Sequence, residues 1–256
     1  MPFDSDARHT AAVRGAGFLS ESLANYSAMA ITERAYGVEA ARHVYDFQMQ
    51  RYLLGRAGQS REVPVLTVED QPYLAYRKGA IALYTLRDFI GEEAVNRALR
   101  RYFERFADAG PPYPSSLDLY AELRAETPAS LHPLLTDLFE TVTLWDVSTE
   151  GARVERSATG EYVLTLELLG RKVRADEDGD ETEVAMDDLV QIGVFASGED
   201  GGLGEPLYLE RHRIRSGRQT IRVTVSREPA RAGVDPYRRL IERNREDNVV
   251  DVAGSR

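Results

Sequence analysis

A chain of 256 residues, 43% of them hydrophobic, is long enough for one large or two ordinary domains. Its net charge of -10 excludes the broad basic surface that a general nucleic-acid binder uses to displace counterions. It has no cysteine, which excludes disulfides and cysteine-based zinc sites, and no apolar run approaches the roughly 20 residues that span a bilayer. The opening MPFDSDARHT lacks the apolar stretch of a signal peptide, so the chain as given is expected to be soluble. Positive charge is almost all arginine, the lysines being Lys78 and Lys172.

In chain order, apolar residues first recur at helical spacing. SESLANYSAMAITERAYG places Leu19, Leu23, Tyr26 and Ala30 on one stripe, with Gly37 as the cap. VEAARHVYDFQMQRYLLG reads as a second helix closed by Gly55, and YRKGAIALYTLRDFIG as a third closed by Gly91. EEAVNRALRRYFERFADAG is a fourth, with two acids in its first turn and Gly110 after it. Ser115 and Asp118 form a capping box for SLDLYAELRAE, and ASLHPLLTDLFETV is the last helix of this region. Near Trp145 the period changes to two. GARVERSA, EYVLTLELLGRKVRA, ETEVAMDDLVQIGVFAS, PLYLERHRI and RQTIRVTVS read as strands. Thr159-Gly160, Asp178-Gly179 and SGEDGGLGEP supply turns between them, a pattern that predicts an antiparallel sandwich. GVDPYRRLIERNREDN reads as a short C-terminal helix, with Asp235 as N-cap and Pro236 at its first position. The fold class is therefore α+β, a helical domain over 1–145 and a β-sandwich over 146–256, with a linker at LWDVSTE.

The four histidines, His9, His43, His132 and His212, form no His-x-x-x-His pair and no nucleophile–base arrangement by spacing, so each reads as an ordinary surface or core residue. RADEDGDETE invites a calcium loop, but with Asp176 in its first position Gly179 falls too early, and a solvated hairpin turn is the better reading. NRALRRYFERF carries Arg97, Arg100, Arg101 and Arg105 on one helix; in an acidic chain these read as a solvated face, not a nucleic-acid surface. Glu21 stands out instead: on an apolar helix it is either an acid complementing the helix dipole or a metal ligand.

Ser20-Glu21-Ser22-Leu23-Ala24, followed by Tyr76-Arg77-Lys78-Gly79, resembles the M1 family of zinc aminopeptidases. That family carries His-Glu-x-x-His, a third zinc ligand further on in a motif of the Asn-Glu-Gly-Phe-Ala type, and then Tyr-x-Lys-Gly. The likeness continues through PPYPSSLDLYAEL, LLTDLFE and AGVDPYRRLIERNREDN, covers nearly the whole chain, and is closest to the bacterial branch fused behind an ABC-transporter-type permease. It implies that Glu21 is a zinc ligand and that Tyr76 presents its hydroxyl to the oxyanion formed when zinc-bound water attacks a peptide carbonyl. It implies further that Lys78 and Gly79 support the local geometry. Carboxylate and hydroxyl should then face one opening, within roughly 10 Å of each other. For Tyr76 the plain alternative is core packing, one helical turn from Tyr73.

Counting back from Glu21, the family's second histidine falls at Pro2, or at Met1 or Phe3. The first histidine, the general-base Glu and the Gly-x-Met-x-Asn segment have no counterpart in the sequence. The resemblance therefore implies the helical second half of a thermolysin-like catalytic domain followed by a β-sandwich. The parent enzyme would bind zinc and a peptide substrate and lie in the bacterial inner membrane. This chain would lack its N-terminal catalytic half and the permease, bind no zinc tightly, and be inactive alone. The alternative is a non-catalytic M1-like module that works by binding.

Overall fold

The computed structural model describes residues 14–59, 61–108, 110–198 and 202–254. They form an α+β protein with two compact units, one of residues up to Thr143 with Ala175–Asp180, the other of Leu144–Arg174 and Glu181–Arg256.

The first unit is helical. A π-helical turn, Phe18–Ser22, runs into α1 (Leu23–Tyr36), which is followed by α2 (Val38–Ala57). A second π turn, Leu74–Lys78, runs into α3 (Gly79–Ile90), followed by α4 (Glu92–Phe106), α5 (Ser116–Glu126) and α6 (His132–Leu135). A third π turn, Thr136–Glu140, closes the unit and packs Phe139 edge-on against Phe18 at 5.7 Å. Gly37 and Gly91, with φ of 89° and 88°, end α1 and α3 in a conformation that side chains disfavour, which is why the sequence stops both helices there. α3 is the central helix. Every residue from Gly79 to Leu86 is buried, and its first charge is Arg87, the pattern of a helix packed on all sides. Tyr45 of α2 bonds to Thr85 of α3 at 3.0 Å, and Tyr84 of α3 donates to Glu33 of α1 at 2.7 Å. α4 buries Ala94, Val95, Ala98 and Tyr102; from its other side Arg97 and Arg101 reach Glu126 and Glu122 of α5 at 2.9 and 2.7 Å. The expected capping box is present, with the Ser115 amide donating to Asp118 at 2.8 Å.

The second unit carries the strands: β1 (Val142–Arg156), β2 (Tyr162–Ala175), β3 (Glu181–Val184), β4 (Asp187–Ser197), β5 (Leu203–Arg215), β6 (Gly217–Val225), β7 (Arg231–Val234), β8 (Val249–Asp251) and β9 (Ala253–Gly254). One sheet has the order β3-β2-β1-β9, with β6 paired antiparallel to β2; the other, all antiparallel, has the order β5-β4-β7-β8. Period-two alternation is clear in β2, where Leu164, Leu166 and Leu168 are buried and the residues between them are half-exposed. Asp188 accepts bonds from the Lys172 ammonium and from the Trp145 indole at 2.8 Å, which satisfies a buried cation.

The structure corrects the sequence reading in four places. α2 does not close at Gly55 but runs through it to Ala57, with Gly58 as its cap. The expected linker, 144–150, is the middle of β1, with Leu144, Trp145, Val147 and Thr149 all buried. The strand expected over 181–197 breaks at Ala185–Met186 into β3 and β4. The expected C-terminal helix is absent. Asp235 and Arg238 have φ of 41° and 56°, outside the helical region, and the Asp235 carboxylate accepts from the amides of Arg239 and Leu240, holding a loop. That loop spends its backbone groups on β1: Trp145 donates to the Ile241 carbonyl at 3.0 Å and Thr149 to the Asp247 carbonyl at 2.9 Å. Glu242 is buried there, accepting from the Val147 amide and, at 3.0 Å, from Asn248. Burial pushes its carboxyl up to about 9; the two hydrogen bonds oppose the rise, and the charges of Asp235 and Asp247 add to it.

Candidate functional site

A π turn carries one residue more than an α turn, so a carbonyl of the helix is left for another donor. In the second π turn the Gly79 amide reaches back to the Leu74 carbonyl. The neighbouring Ala75 carbonyl accepts a 2.6 Å bond from the Ser22 hydroxyl, which belongs to the first π turn. The two turns touch closely enough to require glycine: a Cβ at Gly79 would lie 2.0 Å from Ser22 Oγ. Ser22 and Ala75, locked together, are the chain neighbours of Glu21 and Tyr76.

The consequence is a side-chain pair. The Glu21 carboxylate acts on the Tyr76 hydroxyl as an acceptor and as a negative charge, and with slight desolvation it raises the tyrosine's pKa against the opposing charge of Arg77. Tyr76 is 41% exposed, so it is not a core residue; half-buried Tyr73 packs instead, stacked on buried Tyr52 with its hydroxyl on the Arg61 carbonyl. Asn25 donates to the Glu21 carbonyl at 2.9 Å, and Gln48 of α2 joins Asn25 to Arg77, whose guanidinium donates to it at 2.7 Å. Arg77 and Arg51 lie over the half-exposed ring of Phe47 at 5.8 and 5.9 Å. This part of the surface thus carries the Glu21 carboxylate, the Tyr76 phenol and two guanidiniums, of Arg77 and Arg51, the last two over an aromatic ring.

The other residues singled out in the sequence do not join this site. His9, Pro2, Met1 and Phe3 lie outside the described residues. His43 is exposed on α2, His132 meets the Thr127 carbonyl at 3.1 Å, and His212 meets the Tyr208 hydroxyl at 2.6 Å. Asp176 caps its own hairpin turn, accepting from the amides of Asp178 and Asp180.

A catalytic zinc site takes three protein ligands. Among the described residues no group of three or more His, Asp or Glu side chains is placed to hold a metal. Glu21 fits one corner of such a site: a carboxylate has room for several partners, so its interaction with Tyr76 leaves an oxygen available. By themselves the residues in this part of the surface do not fit a zinc ion. Lys78 and Glu62 are also near. Lys78 ends the second π turn fully buried and is paired with Glu62, a residue the sequence reading passed over; the signal was an acid inside the apolar run EVPVL.

No protein-family model matches the sequence, and no curated protein is significantly similar to it. No helix among the described residues is long and apolar enough to cross a membrane.

Proposed function

We infer that the helical unit carries part of an M1-like zinc aminopeptidase centre, with Glu21 as one zinc ligand and Tyr76 as the oxyanion donor. The single observation that supports this reading is the contact between two π turns far apart in sequence: the Ser22 hydroxyl on the Ala75 carbonyl at 2.6 Å brings their chain neighbours Glu21 and Tyr76 together. Widened helical turns concentrate at functional sites. In the proposed enzyme the helices form the second half of a thermolysin-like domain and the sheets its β-sandwich. Two further ligands and the general base come from a segment outside these residues, joined to a permease in the bacterial inner membrane. Zinc would supply Lewis-acid polarisation and an activated water. The protein's own part is geometric. Glu21 offers an oriented carboxylate, and Tyr76, a phenol protonated at neutral pH, turns its one O–H from Glu21 to the oxygen of a peptide carbonyl as negative charge develops there.

The coding sequence ahead of the Met1 codon tests this. An in-frame His-Glu-x-x-His is expected there. The extended product should then hydrolyse amino-acid anilides in a chelator-sensitive way, Glu21→Gln should lower zinc retention, and Tyr76→Phe should lower kcat more than KM. The 256-residue chain alone should show no turnover. If no such motif precedes Met1, or if the extended enzyme ignores both substitutions, the non-catalytic binding module is the better reading.

A further inference from the structure

Tyr76 stands between two anchors. On one side the Ala75 carbonyl is tied to Ser22. On the other, Lys78 ends the turn with its side chain fully buried, and its ammonium donates to Glu62, which is 3% exposed. Glu62 is held in turn by α2: Tyr52 donates to both carboxylate oxygens at 3.0 and 3.2 Å, and Arg56 pairs with one of them. The Lys78 ammonium also sits over the Tyr52 ring at 5.4 Å. Burial pushes the Lys78 pKa down and the Glu62 charge pulls it back up, so the ammonium depends on this one carboxylate. A π turn is a sparsely used geometry that persists where its surroundings over-determine it. Here the surroundings are Ser22 before Tyr76 and Glu62 after it.

We propose that Glu62 is a positioning residue for Tyr76: by anchoring Lys78 to α2 it keeps the π turn in the register that presents the tyrosine hydroxyl to Glu21. The inference rests on the Glu21–Tyr76 pair and holds with or without a zinc reading of it, so its test needs neither metal nor substrate. The full chain is labelled with carbon-13 at the tyrosine Cζ and its spectrum recorded at a fixed neutral pH. The Tyr76 signal is identified by its loss in Tyr76→Phe, and Glu21→Ala, which removes the acceptor, gives its position when unpaired. In Glu62→Gln the Tyr76 signal should move to the Glu21→Ala position while those of Tyr45 and Tyr102 stay in place. A Tyr76 signal that keeps its wild-type position overturns the proposal, and so does a shift shared by Tyr45 and Tyr102, which reports general loosening. Should the unpaired ammonium prevent Glu62→Gln from folding, Glu62→Gln with Lys78→Met removes both charges and is read by the same two outcomes.

Discussion

Glu242 is the titratable residue with the plainest consequence for stability. Unfolded, its carboxyl titrates near 4.5; folded, burial holds it near 9. Between those values the folded chain binds a proton that the unfolded chain does not. The raised value of an acid thus gives stability that is fully present below the unfolded pKa and is lost as pH rises through the folded one. The slope is about 1.4 kcal/mol per pH unit within that window. The urea midpoint of the wild type should therefore fall between pH 5 and pH 8 by more than that of Glu242→Gln, whose amide mimics the protonated acid. Equal slopes in the two proteins would show that Glu242 is charged when folded. Nothing in the local sequence marks this residue: RRLIERN reads as an amphipathic helix, and only the approach of β1 turns Glu242 inward.

At the scale of elements, the first two π turns hold each other through the Ser22 hydroxyl and the Ala75 carbonyl. The Ser22 hydroxyl meets a buried carbonyl that has left the regular helical pattern, so Ser22→Ala leaves that group unpaired at a cost of about 1–3 kcal/mol. Gly79→Ala introduces a Cβ where Ser22 already stands, and overpacking of this kind costs about 1–3 kcal/mol. Combined, Ser22→Ala and Gly79→Ala should cost less than the sum of the two, because Ser22→Ala removes the nearer clashing atom, Oγ at 2.0 Å, and leaves of that side chain only the Cβ at 2.6 Å. Thermal unfolding of the three variants checks this, and strict additivity would contradict the contact. These elements divide what the sequence can reveal from what it cannot. The glycine stops at Gly37 and Gly91 and the alternation in β2 were readable because single residues or a fixed period carry them. The π turns were not, since one extra residue in a turn leaves no mark on composition; Leu19, expected on the buried stripe of α1, lies in the first of them and is only half-buried. The 233–248 segment misled because Asp235-Pro236 is a sound local helix start, while the bonds from β1 that override it come from residues about a hundred positions earlier.

For the whole molecule, the distribution of exposed apolar side chains is uneven. Among the described residues, the large exposed ones, including Ile31, Tyr36, Val38, Phe47 and Leu54, belong to the helical unit, and none belongs to the sheets. Phe47 and Leu54 are seven positions apart on the outer face of α2, opposite buried Tyr45, Met49 and Tyr52. Where such side chains form one contiguous patch, they mark an interaction face. The purified chain should bind a hydrophobic dye and scatter light above the monomer value. Phe47→Lys with Leu54→Lys should reduce both while leaving the melting temperature within a few degrees, because neither side chain is in the core. A clean monomer that binds no dye would remove the face from consideration.

The turn at Leu74–Lys78 has one more implication, and it concerns chain length. A π turn is an α-helix that has accepted a one-residue insertion, so taking one residue out returns it to the common form. Deleting Arg77 would give the Ala75 carbonyl a helical partner again. It would also swing every earlier residue by about 100° around the axis relative to α3. Tyr76 would then leave Glu21, and the Ser22 hydroxyl would lose its acceptor. A shortened chain of this kind gains a smoother helix and gives up the pair, which makes the extra residue, beside the Ser22 and Glu62 anchors, a unit of sequence on which the pair depends.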